Sequence, residues 1–194
     1  FFFTPTPAYA MLRSLVGSEM CIRDSNIGVM LLHTVPYIVD SGFTLSDAGW
    51  VVFTVSVPAM LSKPVWGYFI DRSPAKPLAA ISAAVTGLAL FLIVLAVSYH
   101  EFVWVLLAFV VLGFGWGGMI PLQEVIWASF FGRRFLGSIR GAAMPFSLLL
   151  GAPAPALVGY YHDMFGRYDE ALLIVASLNV LSGVLIFLAP APRR

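Results

Sequence analysis

Charged side chains are scarce in this 194-residue sequence. Asp, Glu, Lys and Arg together make up 11% of it, whereas an ordinary soluble domain contains about 25%. Hydrophobic residues make up 60%, and the mean hydropathy is +0.91. So little charge and so much apolar surface are typical of a protein whose helices lie in a lipid bilayer, and they exclude an ordinary soluble domain.

The sequence also has few of the residues that enzymatic and nucleic-acid functions need. Its one cysteine, Cys21, cannot form an internal disulfide and has no histidine or cysteine nearby at metal-ligand spacing. The formal net charge is only +1, and no basic face is present to bind phosphates. No nucleophile with a base partner can be assembled. We therefore expect no enzymatic activity, no cofactor, no metal site and no nucleic-acid partner.

Residues 1–25 differ in composition from the rest of the chain. Charged residues interrupt their short apolar runs, so they cannot span a bilayer, and they lack the basic start and cleavage pattern of a signal peptide. The string LRSLVGSEMCIRDS resembles a translated sequencing-library adaptor. We therefore expect residues 1–25 to be a non-native or disordered leader without stable contact with the bundle. Native sequence is expected to begin near Asn26, with an earlier part missing.

Six apolar segments follow. A bilayer core of about 30 Å takes about 20 helical residues. Five segments have that length, and the first, with 15 residues, suits a span that has lost its initial turns. The predicted spans are residues 26–40, 48–70, 78–99, 102–131, 141–161 and 171–189. The predicted fold class is therefore all-α membrane, with six transmembrane helices in one domain, residues 26–194.

Basic residues are distributed unevenly between the two sets of segments that connect these spans. One set has a single basic residue, Arg167, and the other has seven, namely Arg72, Lys76, Arg133, Arg134, Arg140, Arg193 and Arg194. Cytoplasmic loops carry an excess of Lys and Arg. The pattern therefore predicts that both chain ends face the cytoplasm, in a protein of the plasma (inner) membrane.

Two similar strings close the second and the fifth spans. GYFID at residues 67–71 and GYYHD at residues 159–163 share Gly, Tyr and Asp at equal spacing. The first string ends on the predicted inner side and the second on the outer side. Two inverted three-helix repeats would produce this arrangement. The alternative is coincidence between two common helix-end compositions.

The stretch GYFIDRSPAK, residues 67–76, resembles the conserved loop Gly-x-x-x-Asp-Arg-x-Gly-basic-basic of the major facilitator superfamily, with proline at position 74 where the motif has glycine. With HTVPYIVDSGFTLSDAG, FFGRRFLGSIRG and GAPAPALVGYYHDMFGRY, the resemblance covers residues 26–194. It is similar to helices seven to twelve of monocarboxylate-transporter-like members and oxalate/formate antiporters. The resemblance implies that the N-terminal six-helix bundle is missing. It also implies that the loop braces the two halves, through Gly67, Asp71, Arg72 and Lys76.

Lys63 is the first candidate for substrate binding. It lies eight residues before Asp71, about 12 Å along a helix, and hence near mid-bilayer. A charge at that depth must be paired or hydrated. In the carriers that the chain resembles, an arginine immediately before the proline of this helix binds the substrate carboxylate, and Lys63 matches that position. Ala59 stands where the monocarboxylate carriers have an aspartate. The alternative is a lysine that extends toward the cytoplasmic interface.

Three other residues are candidates for the same site. Glu124 has a similar predicted depth, and it could pair with Lys63, titrate as a coupling group or join the loop brace. His33 and Tyr37 lie one turn apart in the outer half of the first span, where they could line a cavity. A histidine that is hydrogen-bonded between helices is an equal alternative.

The predicted function is that of a transporter fragment. The chain is expected to be part of a secondary active transporter that moves a small organic anion, similar to a monocarboxylate, by alternating access. Coupling to protons or to a counter-anion stays open. The expected partners are this small-molecule substrate, the lipid bilayer and the missing N-terminal bundle. The alternative is a six-helix membrane assembly or scaffold subunit without transport of its own.

Overall fold

The computed structural model describes residues 7–131 and 136–188, and within these ranges every regular element is an α-helix. The seven helices of the described residues are α1 (Pro7–Asp40), α2 (Leu45–Arg72), α3 (Ala75–Ser98), α4 (Phe102–Phe131), α5 (Leu136–Gly151), α6 (Pro153–Phe165) and α7 (Asp169–Leu188). Among the described residues, four stretches are long and apolar enough to cross a membrane: α2, α3, residues Phe102–Ile126 of α4, and α7.

The first helix begins earlier than the predicted span of residues 26–40. α1 starts at Pro7 and continues without a break to Asp40. Between Pro7 and Pro36 the sequence contains no proline, and residues such as Ala, Leu, Met, Arg and Glu favour a helix over residues 8–25. The backbone of residues 7–25 is therefore helical. The interpretation of residues 1–25 as a non-native leader stays a prediction. The expected lack of contact between this segment and the bundle stays a prediction.

The predicted fifth span, residues 141–161, is divided into two helices. α5 ends at Gly151, and α6 begins at Pro153. Ala152 between them keeps helical angles, φ −61° and ψ −30°, and its N–H donates to the carbonyl of Leu148 at 2.8 Å. Pro153 and Pro155 have no N–H, so two hydrogen bonds of a continuous helix cannot form. α5 and α6 together occupy the place of the predicted fifth span, which the two prolines divide.

The helix neighbours have the symmetry of two three-helix units. The first unit is α1, α2 and α3, and the second is α4, α5 with α6, and α7. α2 packs against α4, α1 packs against α5 and α6, and α3 and α7 pack against each other. The symmetry relates α1 to α4, α2 to α5 with α6, and α3 to α7. Under this exchange the contact of α2 with α4 becomes the contact of α1 with α5 and α6, and the contact of α3 with α7 is unchanged, as inverted repeats require. GYFID and GYYHD lie toward the ends of the equivalent helices α2 and α6. The predicted six-span fold with two inverted repeats is confirmed.

Small residues allow α2 and α4 to approach closely. A Cβ atom added to Gly113 would overlap the carbonyl of Val55, and one added to Gly117 would overlap the Ser62 hydroxyl. One turn beyond Ser62, the indole of Trp66 donates from Nε1 to the carbonyl of Phe114 at 2.9 Å. This packing fixes which face of α2 is buried, and therefore which face points away from the described helices.

Candidate functional site

Polar and aromatic side chains gather where α1, α3 and α6 end and α2, α4 and α7 begin. We call this region the polar end and define it by six residues: His33, Tyr37, Asp40, His162, Tyr168 and Asp169. The connection from α6 to α7 is short because Gly166 takes the left-handed conformation, with φ 66°, and its N–H donates to the carbonyl of His162 at 2.7 Å. The short connection brings the end of α6 and the start of α7 beside the last turns of α1.

Two polar contacts join α1 to the other half of the bundle at the polar end. The Nε2 atom of His162 lies 3.0 Å from the Asp40 carboxylate. The hydroxyl of Tyr37 donates to Asp169 at 2.9 Å, and the Tyr37 side chain is only 2% exposed. These contacts tie the end of α1 to α6 and to the first turn of α7.

Tyr168 is the aromatic centre of the polar end. Its ring stacks on His162 with centroids 4.0 Å apart and an interplanar angle of 13°, and it also meets the rings of Tyr37 and His33. Tyr168 lies in the connection between α6 and α7 and is 7% exposed. Burial raises the pKa of Tyr168 above its ordinary value, and the nearby Asp40 carboxylate raises it further. The phenol therefore stays neutral at physiological pH.

His33 is held between α1 and α6. Its Nε2 atom lies 2.8 Å from the carbonyl of Pro155. A carbonyl can only accept, so this nitrogen carries the hydrogen and donates it. Gly159 allows the approach, since a Cβ atom there would lie 3.4 Å from the imidazole. This geometry fits the alternative in which the histidine is hydrogen-bonded between two helices. His33 and Tyr37 thus both belong to the polar end.

A cavity of about 210 Å³ opens beside these contacts. It lies between the ends of α1 and α3 and the connection from α6 to α7. Its polar lining includes Tyr37, Asp40, Ser98, His100, Arg167 and Asp169. Among the described residues, no group of three or more His, Cys, Asp or Glu side chains has an arrangement that could hold a metal ion.

Lys63 lies on the outward face of α2. Ser62 and Trp66 are buried against α4, whereas Lys63 and Pro64 are exposed, as is Met60 one turn earlier. The described helices therefore do not enclose the lysine. Glu124 lies on α4 and is half-buried. The predicted site residues thus separate into a pair at the polar end, His33 and Tyr37, and residues on α2 and α4 that lie further along the bundle.

The loop of residues 67–76, which resembles the conserved superfamily motif, lies at the end of α2 that is opposite the polar end. Arg72 places its guanidinium 3.7 Å from the centre of the Tyr68 ring. Asp71 is exposed, and Gly67 and Lys76 are half-exposed. Pro74, which replaces the glycine of the motif, immediately precedes α3 with an extended backbone, φ −56° and ψ 134°. Proline is well suited to this position because its φ is already fixed near this value.

Several of the basic residues on which the predicted orientation rests lie outside the described part of the structure. Arg133, Arg134, Arg193 and Arg194 lie outside the described residues, and so does the side chain of Arg140. Sequence reasoning did not single out Asp40, His162, Tyr168 or Asp169. Only the GYYHD string pointed toward His162, because it marks the end of a helix that repeats the end of α2.

The fold and composition together define an integral membrane protein built from two inverted three-helix repeats. The sequence profile of the Major Facilitator Superfamily matches residues 24–194. The chain therefore belongs to this superfamily of membrane transporters, whose members are carriers and not enzymes. A comparison with curated protein sequences finds no match.

Proposed function

We propose that the chain is the C-terminal half of a secondary active transporter that moves a small organic anion, similar to a monocarboxylate, by alternating access. One observation carries this proposal: Lys63 is exposed on the long helix α2, more than two turns before its end at Arg72. A cation at that depth on a lipid-facing surface costs about 3 kcal/mol on insertion scales. A second bundle packed against this face would place Lys63 in a central, hydrated cavity.

The burial of the spans supports a covering partner on α2. Only 22% of the residues in the most apolar 18-residue stretch of α2 are buried, compared with 61% in α3 and 50% in α4. α2 also has the lowest hydropathy of these spans. The most exposed span is therefore the one least suited to lipid, which is expected if protein and water cover it in the complete carrier.

Lys63 is the residue that we assign to the substrate carboxylate. Lysine offers a compact charge without the bidentate fork of arginine, so it recognises an anionic oxygen with little demand on its orientation. His33 and Tyr37 already contact Pro155 and Asp169, so we assign them to packing at the polar end. For Glu124 three roles stay open: a partner of Lys63, a group that couples transport to protons, and a partner in the loop brace. The brace itself is formed by Gly67, Asp71, Arg72 and Lys76.

Transport by the full-length parent protein in liposomes tests the assignment of Lys63. Lys63→Ala should abolish anion uptake, because the anion would lose a cation at mid-membrane and retain its desolvation cost. Lys63→Arg should retain part of the activity, because the charge is preserved. Met60→Ala serves as the matched control, since Met60 is exposed on α2 one turn earlier.

Binding measured on purified protein separates a substrate role from a structural one. We expect Lys63→Ala to lose anion affinity while its folded yield remains close to that of the parent. Affinity equal to that of the parent would rule out a carboxylate contact. The 194-residue chain alone should not accumulate substrate in vesicles, because a site between two bundles would have lost one wall.

We also propose that the polar end faces outward and that both chain ends face the cytoplasm of the inner membrane. The excess of basic residues near the other end supports this orientation. In a variant without Cys21, a cysteine that replaces Ser41 should react with an impermeant maleimide in intact cells. A cysteine that replaces Pro74 should react only after the membrane is opened. The reverse pattern would overturn the orientation.

A further inference from the structure

A second and larger cavity lies on the other side of the α3–α4 hairpin from the polar cavity. It is a groove of about 710 Å³ between the last turns of α3 and the first turns of α4. Its walls are apolar over most of their length and include Leu92, Leu95, Leu107 and Val111. Its mouth, where the two helices meet, is formed by Tyr99, Glu101 and Trp104. None of these residues belongs to the site proposed for the anion.

The groove opens away from the core of the bundle. Ile93 on α3 and Val105 and Phe109 on α4 have no exposed surface and face the interior. Leu95 is 52% exposed and Leu107 is 50% exposed, on the opposite side of the same two helices. Both helices are apolar enough to cross a membrane. The walls of the groove therefore lie at the depth of the lipid acyl chains, with the mouth near the headgroups.

The length of the groove suits the upper part of one acyl chain. Along α3 it extends from Tyr99 back to Leu92, and along α4 from Trp104 to Val111. Seven helical residues correspond to about 10 Å of depth. Leucine and valine side chains at these positions form two apolar ridges with a furrow between them. A flexible hydrocarbon chain can follow such an apolar furrow along its length.

The mouth of the groove has the chemistry of a site for an ammonium group. Glu101 is the one charged residue among the described residues that line the groove, and it is exposed. Tyr99 and Trp104 flank it and are 68% and 61% exposed. A carboxylate beside two aromatic rings attracts an organic cation, through charge and through the faces of the rings. The same carboxylate repels a lipid with a net negative headgroup.

The turn of the hairpin directs this carboxylate to the groove. His100, in the left-handed conformation with φ 55°, lies between Tyr99 and Glu101. Its ring contacts Phe43 on the inner side, with centroids 6.1 Å apart, and it lines the polar cavity. Tyr99 and Glu101 line the outer groove instead. Adjacent residues of one turn therefore serve two separate cavities.

We propose that the groove between α3 and α4 binds a zwitterionic phospholipid whose headgroup ends in an ammonium group. One acyl chain lies between Leu95 and Leu107. The ammonium group lies against Glu101, between Tyr99 and Trp104. Phosphatidylethanolamine and phosphatidylcholine both carry this group, the first as a hydrogen-bond donor to the carboxylate and the second as a quaternary cation suited to the rings.

Native mass spectrometry of the purified chain tests the site. The protein is released from nanodiscs that contain equal amounts of phosphatidylethanolamine, phosphatidylcholine and phosphatidylglycerol with identical acyl chains. The retained lipid should be enriched at least threefold in the ammonium lipids over phosphatidylglycerol. Glu101→Gln should reduce this ratio toward one. Asp163→Asn is the matched control, because that carboxylate is 82% exposed at the same end of the bundle and does not line the groove.

Two further variants test the position of the lipid. Leu95→Trp fills the groove and should reduce the retention of all three lipids, whereas Leu157→Trp, at an exposed position on α6, should not. Trp104→Leu should reduce the retention of phosphatidylcholine more than that of phosphatidylethanolamine. Equal retention of the three lipids by the parent chain, or an unchanged ratio in Glu101→Gln, would overturn the proposal. In the full-length protein, lipid retention unaffected by Leu95→Trp would mean that the groove is covered by protein, and would overturn it too.

Discussion

His162 at the end of α6 and Asp40 at the end of α1 form a polar contact, with 3.0 Å between the imidazole Nε2 atom and the carboxylate. The imidazole also stacks on Tyr168, which leads the chain into α7. One histidine on α6 thereby contacts both the end of α1 and the residue that immediately precedes α7. The pair is partly exposed, with side-chain exposures of 26% for His162 and 49% for Asp40, so its contribution to stability is modest.

A double-mutant cycle should detect this contact. We expect Asp40→Ala and His162→Ala to be coupled by about 0.5–1 kcal/mol, the range for partly exposed polar pairs. The measurement is thermal or denaturant unfolding in detergent, followed by circular dichroism. Asp163→Ala with His162→Ala is the control cycle, since that carboxylate is 3.7 Å from the ring and 82% exposed. Equal coupling in both cycles would contradict a specific tie between α1 and α6.

The close packing of α2 on α4 predicts a strong effect at Gly113. Gly113→Ala should lower the free energy of unfolding by about 1–3 kcal/mol, because the new methyl group would meet the backbone of Val55, which cannot rotate away. Gly49→Ala on α2 is the control, as nothing lies within 4 Å of a Cβ atom there. It should leave stability unchanged or raise it by roughly 0.5–1 kcal/mol. Similar losses in both variants would argue against the packing described.

The raised pKa of Tyr168 predicts that the folded protein loses stability at alkaline pH. Its pKa is raised in the folded protein, first by burial and then by the carboxylates of Asp40 and Asp163. The neutral phenol therefore stabilises the fold fully below pH of about 10, the ordinary pKa of tyrosine, and this contribution disappears as the pH rises through the folded-state pKa. Between pH 7 and 9, the melting temperature of Tyr168→Phe should change with pH in the same way as that of the parent.

Melting temperatures measured across this pH range check the prediction. Above pH of about 10, the parent should lose stability more steeply than Tyr168→Phe. Tyr99→Phe is the control, because Tyr99 is 68% exposed and lies away from these carboxylates. Identical slopes for the parent and Tyr168→Phe would show that the phenol ionises as freely in the folded chain as in the unfolded one.

Arg72 is expected to act in the conformational cycle and not in substrate recognition. In the full-length parent, Arg72→Ala should slow transport more than it weakens substrate binding. Tyr68→Leu should produce a smaller loss of the same kind, because it removes the ring 3.7 Å beneath the guanidinium but keeps the charge. The two readouts are uptake into liposomes and binding to purified protein. A proportional loss of binding in Arg72→Ala would move this residue into the substrate site.

Most of the spans were determined by the sequence alone. α2, α3, α4 and α7 follow from runs of about 20 apolar residues, because a helix satisfies its own backbone hydrogen bonds in lipid wherever such a run occurs. The repeated end strings likewise indicated the inverted units. Pro153 and Pro155 indicate a bend within the fifth span, but the hydropathy does not mark the division at Ala152. Hydropathy records side chains and not the backbone N–H groups that proline removes.

Only the tertiary structure decided what the individual polar residues contact. The sequence placed Lys63 at mid-membrane through the rise per residue, but the packing of Ser62 and Trp66 on α4 decided that the lysine faces outward. The sequence left His33 open to two interpretations, and it could not show that the Nε2 atom lies 2.8 Å from the carbonyl of Pro155, far along the chain. Helical periodicity fixes depth and relative face within one helix. The neighbour that each face meets depends on how separate helices pack, and no local pattern in the sequence specifies that.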